Sequence, residues 1–469
     1  MFNWITDYIR HVEDHPKEFG QDVKDNVRQI KELISRPTIH YKEADPIAFQ
    51  KFARLFKHRE GIWAGQPIEL SIEQRYIVAC VLGIKVWNNL EKRYVRYFNE
   101  MDIFVARKWG KDTFTTVLIC YFVGLDKEPS AWAQIVAENE EQARRTFRII
   151  QENIKESPLC YWFSGTGKTA REITCEATHG IIQYLSGRTK GKDGANPSVG
   201  LVNEGHEITK LNQYTAIKTG MGARSQAMMI VISSAGITPD SLYAYLLLRN
   251  RRMLRKKKLG RDDRIFALMY AIDDDDDYRD ETCWIKANPG MPEGRPTLSV
   301  LRSLFAAIGD DIELRNAFIA KNLNRLVGVG FSYYDVISIR NSMRKIKPSE
   351  YTDSYAIGGV DLAETTDLCN ATAMVLTPEK LLVLQVYFIA EQTLERNSEA
   401  DKQDYFSMTN LDTGDRVTSE LVVVTPGAYV RKEYVTDWFV MLRDVYKINF
   451  LKIGYDRALA KEWLTNMIE

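Results

Sequence analysis

The chain of 469 residues carries 63 Lys+Arg against 63 Asp+Glu, so a nucleic-acid partner must be met by local basic patches and not by the overall charge balance. At 45% hydrophobic and 27% charged residues the composition is that of a globular protein with room for two or three cored domains. No stretch approaches the roughly 20 apolar residues of a membrane span, and six scattered cysteines without a Cys-x-x-Cys pair argue against a zinc ribbon or disulfide framework and fit a reducing cytoplasm.

The opening MFNWITDYIRHVEDHPKEF is charged throughout, unlike the apolar core of a signal peptide. Residues 1–65 read as helical: in FGQDVKDNVRQIKELI, Phe19, Val23, Val27, Ile30 and Ile34 recur at helical spacing. GQPIELSIEQRYIVACVLGIKVW reads as a short loop entering one apolar helix. From about residue 94, apolar runs (RYVRYFNEMDIFVAR, SAWAQIVAEN, IIQYLSG, SVGLVNE, AMMIVISSAG) alternate with helical stretches. This is the texture of an α/β domain on a parallel sheet, assigned to residues 66–250. Residues 251–350 read as a charged, mostly helical linker or lid. A second α/β texture fills 351–469, with SYAIGGVDLAETTDLCNATAMVL, KLLVLQVYFIA, LVVVTPG and FLKIGYD. The aspartates 273–277 lack the spacing of a calcium loop and are expected to be a solvated linker. RNRRMLRKKK at 249–258 is expected to be a solvated helix face or a contact to DNA phosphates.

DIFVARKWGKDTFTTVLICYFVG has the layout strand, Gly-Lys turn, helix, which a phosphate-binding loop requires: inward N–H groups, a helix N-terminus and a lysine for the β/γ-phosphates. Gly110 and Lys111 suit the last positions of that loop, residues 105–113. Val105 stands where the first glycine is usual and Asp112 where a Ser/Thr is usual. FSGTGKTA at 163–170 looks similar, but Trp162 occupies its first glycine position and REITCEATHGIIQYLSG after it alternates like a hairpin. Without a helix there is no dipole to hold phosphate, so a Gly/Thr turn between strands is expected there. SVGLVNEGHEI supplies a buried strand ending in Asn203-Glu204. Glu204 is the candidate catalytic base, and Asn203 stands where an aspartate is usual. AMMIVISSAG ends in Ser233 and Ser234, candidates for sensing the γ-phosphate and coupling hydrolysis to movement. In the second domain, strand ends carry Asp361 and Asp456, with Asp367 after a polar turn. Carboxylates from separate strands suit a two-metal phosphodiesterase site, although such aspartates are also common caps.

In order along the chain, LSIEQRYIVACVLGIKVW, ARKWGKDT, KGKDGANPSVGLVNEGHE, TGMGARSQAMMIVISSAG and DDDYRDETCWIKANPGM resemble the large terminase subunits of tailed bacteriophages and prophages. The resemblance implies a P-loop ATPase of the additional-strand type followed by an RNase H-like α/β nuclease domain. It implies ATP binding by Gln74 (reading adenine), Arg107, Lys108, Gly110, Lys111, Asp112, Thr113 and Asn203, with Glu204, Lys111 and Arg107 in catalysis. Asp361 and Asp456 match the first two nuclease metal ligands, for Mg²⁺ or Mn²⁺, with Asp367 a lesser candidate. The third acidic ligand is expected beyond Glu469, so the nuclease domain is expected to be incomplete and its cutting impaired. Asp112 and Asn203 depart from the family pattern. Arg188, Lys190 or Lys192 is expected to reach a neighbouring subunit's ATP. The implied activity is ATP-driven translocation of double-stranded DNA into a procapsid and cutting of concatemeric DNA. The implied partners are the small terminase subunit and the portal protein, with a homo-oligomeric ring on the portal. The implied location is the host cytoplasm, outside the mature virion. The competing expectations are another DNA translocase or helicase, and a catalytically weak prophage DNA-binding protein.

Overall fold

The computed structural model describes all residues except 1–2, 60, 127, 168, 186–195, 239–240, 257–263, 328–341, 343–345, 364–367, 379, 397–406, 410–415, 419–420, 457–459 and 469. It divides into two compact units, Met1–Ser338 and Ile339–Glu469.

In the first unit, α1 (Asn3–Asp14), α2 (Gln21–Ile34) and α3 (Ala44–Ala53) precede α4 (Ile72–Val78), with β1 (Ile39–Tyr41) between α2 and α3. The single helix expected through Trp87 stops earlier. One π turn, Ala79–Gly83, ends α4, and the chain leaves as β2 (Ile84–Asn88). There β-branched Ile84 and Val86 alternate with Lys85 and Trp87, and antiparallel pairing with β1 and β3 (Arg93–Arg96) satisfies the backbone.

The main elements follow as β4 (Glu100–Phe104), α5 (Lys111–Gly124), β5 (Trp132–Val136), α6 (Glu140–Lys155), β6 (Phe163–Ser164), β7 (Glu172–Cys175), β8 (Gly180–Tyr184), β9 (Val199–Asn203), α7 (Asn212–Gly220), β10 (Met228–Ser233), α8 (Leu242–Leu254) and β11 (Ile265–Met269). They form an eight-stranded sheet in the order β11-β4-β10-β9-β5-β8-β7-β6. β11 through β8 are parallel, and β7 and β6 form an antiparallel edge. The additional strand β10 lies between β4 and β9. Phe104 therefore pairs with Ser233, and Ile232 with Asn203, which sets three strand ends side by side. β11, inside the stretch expected to be mostly helical, is the strand that the charged flanks of RIFALMYAI obscured. The Gly-Thr-rich stretch 163–170 begins in β6 and leads to strand β7, not to a helix, as its alternation predicts; Lys168 lies outside the described residues.

β4, β9 and β10 are buried along their whole length, as strands covered on both faces must be. One face is covered by apolar side chains of α1 to α6, so the N-terminal helices share the sheet's core. The other face packs on α7 and α8. α9 (Leu298–Ala306) and α10 (Ile312–Leu323) build a smaller core around Trp284, Leu301 and Phe318, which includes Ala106 from the turn after β4.

The acidic run 273–277 is a tertiary knot and not a solvated linker. Lys286 Nζ reaches Asp273 Oδ2 (2.9 Å) and Asp276 Oδ1 (2.8 Å), and Gln21 N–H donates to Asp273 Oδ1 (2.7 Å). The basic run 249–258 is likewise partly internal. Arg249 bonds Glu100 Oε1 (2.6 Å) and Asp102 Oδ2 (2.5 Å) of β4, and Arg251 bonds Asp22 Oδ2 (2.9 Å). Lys257 and Lys258 lie outside the described residues.

In the second unit, β12 (Tyr355–Asp361), β13 (Cys369–Leu376) and β14 (Leu381–Ala390) form an antiparallel meander. β15 (Ser407–Thr409) and β16 (Arg416–Thr418) make a separate hairpin. β17 (Val422–Thr425) adds in parallel to β14, and β18 (Asn449–Tyr455) in parallel to β12, giving the order β17-β14-β13-β12-β18. This is the RNase H-like arrangement expected. Helix Glu433–Asp444 buries Val435 and Phe439 in the core that holds Val360, Ala371 and Trp463.

Arg249→Ala would leave two buried carboxylates short of their guanidinium. It is expected to cost about 3 kcal/mol in urea unfolding without changing the salt dependence of DNA affinity. A loss near zero, joined to a shallower salt slope, would assign Arg249 to DNA instead.

Candidate active site

β4 ends at Phe104, and the chain turns through 105–110 into α5. The turn uses two left-handed residues, Lys108 (φ +75°) and Gly110 (φ +96°). At Gly110, which caps α5, any side chain would strain the backbone. The loop is tied down from several sides. Val105 N–H donates to Ser233 O and Arg107 N–H to Lys321 O, both at 3.0 Å. Trp109 is fully buried, packs edge-on against Phe114, and donates Nε1–H to Glu73 Oε1 at 3.0 Å. Sequence reading did not single out Trp109 or Glu73. A large aromatic inside an otherwise polar turn was the available signal.

Lys111 opens α5 and is buried. Its Nζ lies 3.6 Å from Glu204 Oε1 and has no hydrogen-bond partner. Burial pushes its pKa down, opposed by the charges of Glu204 and Asp112. Glu204 follows β9 in a left-handed conformation (φ +63°), with its N–H donating to Ile232 O at 3.0 Å. Its Oε2 lies 3.2 Å from His206 Nδ1. Burial works against the Glu204 carboxylate, but the His206 hydrogen bond and the charges of Lys111, His206 and Arg107 outweigh it and hold the carboxyl at about 2. Glu204 is therefore an anion across the ordinary pH range. His206 is fixed in turn by Ser233: its N–H donates to Ser233 Oγ at 3.1 Å, and its Nδ1 lies 3.3 Å from that hydroxyl. Ser233 donates to Ser234 O at 2.7 Å. Ser234 Oγ is buried without a hydrogen-bond partner.

The two departures from the family pattern meet each other. Asn203 Nδ2 donates to Asp112 Oδ1 at 2.9 Å, with Thr146 Oγ1 at 3.4 Å. Asn203 Oδ1 is buried and has no hydrogen-bond partner.

The structure thus joins Lys111, Glu204, His206 and Ser233 in one chain of contacts, with Asp112 and Asn203 joined at the same strand ends. Arg107 and Lys108 are exposed beside it, and Thr113 is half-buried. Gln74 is buried in the first turn of α4, where its Oε1 accepts the Ser71 N–H at 3.3 Å. Arg188, Lys190 and Lys192 lie outside the described residues. A buried ammonium without a hydrogen-bond partner at a helix N-terminus fits a phosphate chain. The orphaned Asn203 oxygen and the Asp112 carboxylate it adjoins fit the hydrated divalent cation that accompanies one.

In the second unit, Val360 of β12 pairs in parallel with Tyr455 of β18. Asp361 and Asp456 are the next residues on each chain and both are exposed. Their backbones emerge at one level on neighbouring strands, about 5 Å apart, as carboxylates sharing metal ions require. Asp367 lies outside the described residues.

Comparison with known proteins agrees with this layout. The model of the terminase large subunit ATPase domain matches residues 74–250, and that of the terminase large subunit endonuclease domain matches residues 260–468. The chain is 26% identical over 261 residues to Protein YmfN of Escherichia coli (strain K12), covering 52% of this chain and 54% of that protein. It is 22% identical over 261 residues to the terminase large subunit of Lactococcus phage p2, covering 55% and 47% respectively. The chain thus spans about half the length of the curated relatives it matches. The crystal structure of the HK97 bacteriophage large terminase superposes with a TM-score of 0.50 at 19% identity, over 91% of this chain and 82% of that one, and shows a shared fold. With the ATPase-domain match over residues 74–250 and the endonuclease-domain match over residues 260–468, which together span most of its length, the chain belongs to the terminase large subunit family.

Proposed function

We propose that this chain hydrolyses ATP to drive double-stranded DNA into a procapsid and cuts concatemeric DNA in its second unit. It would act in the cytoplasm of the bacterial host and would not be part of the mature virion. The observation that carries the reading is the contact chain from Lys111 through Glu204 and His206 to Ser233, set where β4, β10 and β9 end together.

ATP is held by the N–H groups of the 105–110 loop other than those of Val105 and Arg107, which are bonded to Ser233 O and Lys321 O, and by Lys111, whose ammonium takes the β/γ-phosphate oxygens. Arg107 and Lys108, exposed on the same loop, add positive charge beside the phosphates, and Gln74 lies on the helix expected to read adenine. Glu204 orients the attacking water. A carboxylate held so low accepts a full proton poorly, so positioning the water and stabilising charge on it are its larger contributions. His206 keeps Glu204 aimed, and Ser233 keeps His206 aimed. A change at the γ-phosphate is thereby passed to β10 and to the Ser233–Ser234 turn. Asp112 and Asn203 would hold a divalent cation such as Mg²⁺, which when bound would supply neutralisation of the charge developing on the phosphates.

In the second unit, Asp361 and Asp456 would hold Mg²⁺ or Mn²⁺ for cleavage. The partners that follow are double-stranded DNA, the small terminase subunit and the portal protein, on which a homo-oligomeric ring of this chain would sit.

Two measurements test this. DNA-stimulated ATP turnover should fall at least a hundredfold in Lys111→Ala and in Glu204→Gln, within the range expected for such groups. Unchanged turnover in both would remove the site, and no turnover in the parent chain would leave a DNA-binding role only. Metal-dependent plasmid cleavage by the parent chain, expected to be weak, should vanish in Asp361→Ala while ATP turnover persists. Cleavage that survives the substitution would place the nuclease site elsewhere.

A further inference from the structure

Resting on the nucleotide-site reading above, we infer that Asp112 and Asn203 are one reciprocal exchange, in which the carboxylate that holds the nucleotide's divalent cation has moved from the end of β9 to the start of α5. In a P-loop ATPase the cation is held by a loop Ser/Thr hydroxyl and a strand-end aspartate, one neutral oxygen and one carboxylate. Here the loop position carries Asp112 and the strand end carries Asn203. The count of one neutral oxygen and one carboxylate is kept, with the two positions swapped.

Three observations carry this. The two side chains touch, with Asn203 Nδ2 donating to Asp112 Oδ1 at 2.9 Å, so the two substituted positions face the same point. That hydrogen bond fixes the amide, since only the NH₂ side can face a carboxylate. It directs Asn203 Oδ1 away, and this buried oxygen has no hydrogen-bond partner, a condition rare in folded proteins unless a water or ion completes it. Finally, Asp112 is exposed in the first turn of the helix whose N-terminus faces the phosphates. The helix end favours a negative charge there, but an uncompensated carboxylate beside Lys111 would repel the polyphosphate. A divalent cation between Asp112 and the β/γ-oxygens turns that repulsion into attraction. The aspartate and asparagine are then adaptations to each other and not two independent losses.

The test uses the full chain and reads metal affinity separately from turnover. Binding of the fluorescent nucleotide mant-ADP is titrated with Mg²⁺, and bound Mn²⁺ is counted by electron paramagnetic resonance, in the parent, Asp112→Thr, Asn203→Asp and the double variant. Asp112→Thr removes the only carboxylate of the pair and should raise the Mg²⁺ concentration at half-saturation about tenfold or more. The double variant, which restores the usual arrangement, should return it to within about threefold of the parent, with Asn203→Asp measured alone to close the cycle. Circular dichroism melting of each variant confirms that it is folded. Asn203→Asp places two carboxylates in contact and should lower the melting temperature in the absence of metal and recover with Mg²⁺. The exchange is overturned if Asp112→Thr leaves the Mg²⁺ dependence unchanged, or if the double variant binds metal no better than Asp112→Thr alone. A parent chain that binds no mant-ADP at any Mg²⁺ concentration overturns the nucleotide-site reading itself, which is a distinct outcome.

Discussion

The Glu204 carboxylate sits between two nitrogen groups that come from different parts of the sheet, Lys111 at the start of α5 and His206 beyond β9. It can be there because β10 separates β4 from β9 and sets the two strand ends one strand apart. The backbone at Glu204 is left-handed, and such conformations in non-glycine residues persist where the surroundings over-determine them. Here the surroundings are the Glu204 N–H bond to Ile232 O and the Ser233 hydroxyl that fixes His206. The groups are thus pre-organised before any nucleotide arrives, which is where most electrostatic catalysis originates.

The same economy holds the 105–110 turn. A Gly-Lys turn without its usual first glycine needs other restraints, and Trp109 provides one by burying its ring and bonding Glu73. Asn324 provides another next door. In a left-handed conformation at the end of α10, its amide bonds Ala235 N–H beyond β10 and Tyr270 O beyond β11, both at 2.6 Å. Movement of the region 281–323, which packs on Ala106 and gives Lys321 O to the Arg107 N–H, is therefore transmitted to the loop directly. These contacts join sequence-distant segments and leave no periodic trace, so one sequence could not display them.

The strands that carry chemistry were legible because each is a short apolar run bounded by a polar end: DIFVA, VGLVN, MIVISS and IGGVD. Period and punctuation were enough to place Lys111, Glu204, Ser233, Asp361 and Asp456 at strand or helix ends. The 163–170 stretch was separable from a phosphate loop on the same ground, since it is followed by a strand. What was not legible was pairing. β11 hid among charges, and the 273–277 aspartates and the arginines at 249 and 251 read as solvent-facing. The partners of the arginines lie far off in sequence, at Glu100, Asp102 and Asp22, and that of the aspartates, Lys286, lies beyond an intervening turn. Charge runs show how many ions a segment carries and not which of them are neutralised inside. The Asp112–Asn203 contact belongs to the same class. Two departures that look like separate defects along the chain are neighbours in space.

The central claim is that the nucleotide occupies the common end of β4, β10 and β9. Hydrogen–deuterium exchange with and without Mg·ATPγS tests it most directly. Amides at 105–113, 203–206 and 233–235 should slow together on addition of the nucleotide, while 163–170 stays unchanged. Protection confined to 163–170, or none at the three strand ends, would contradict it.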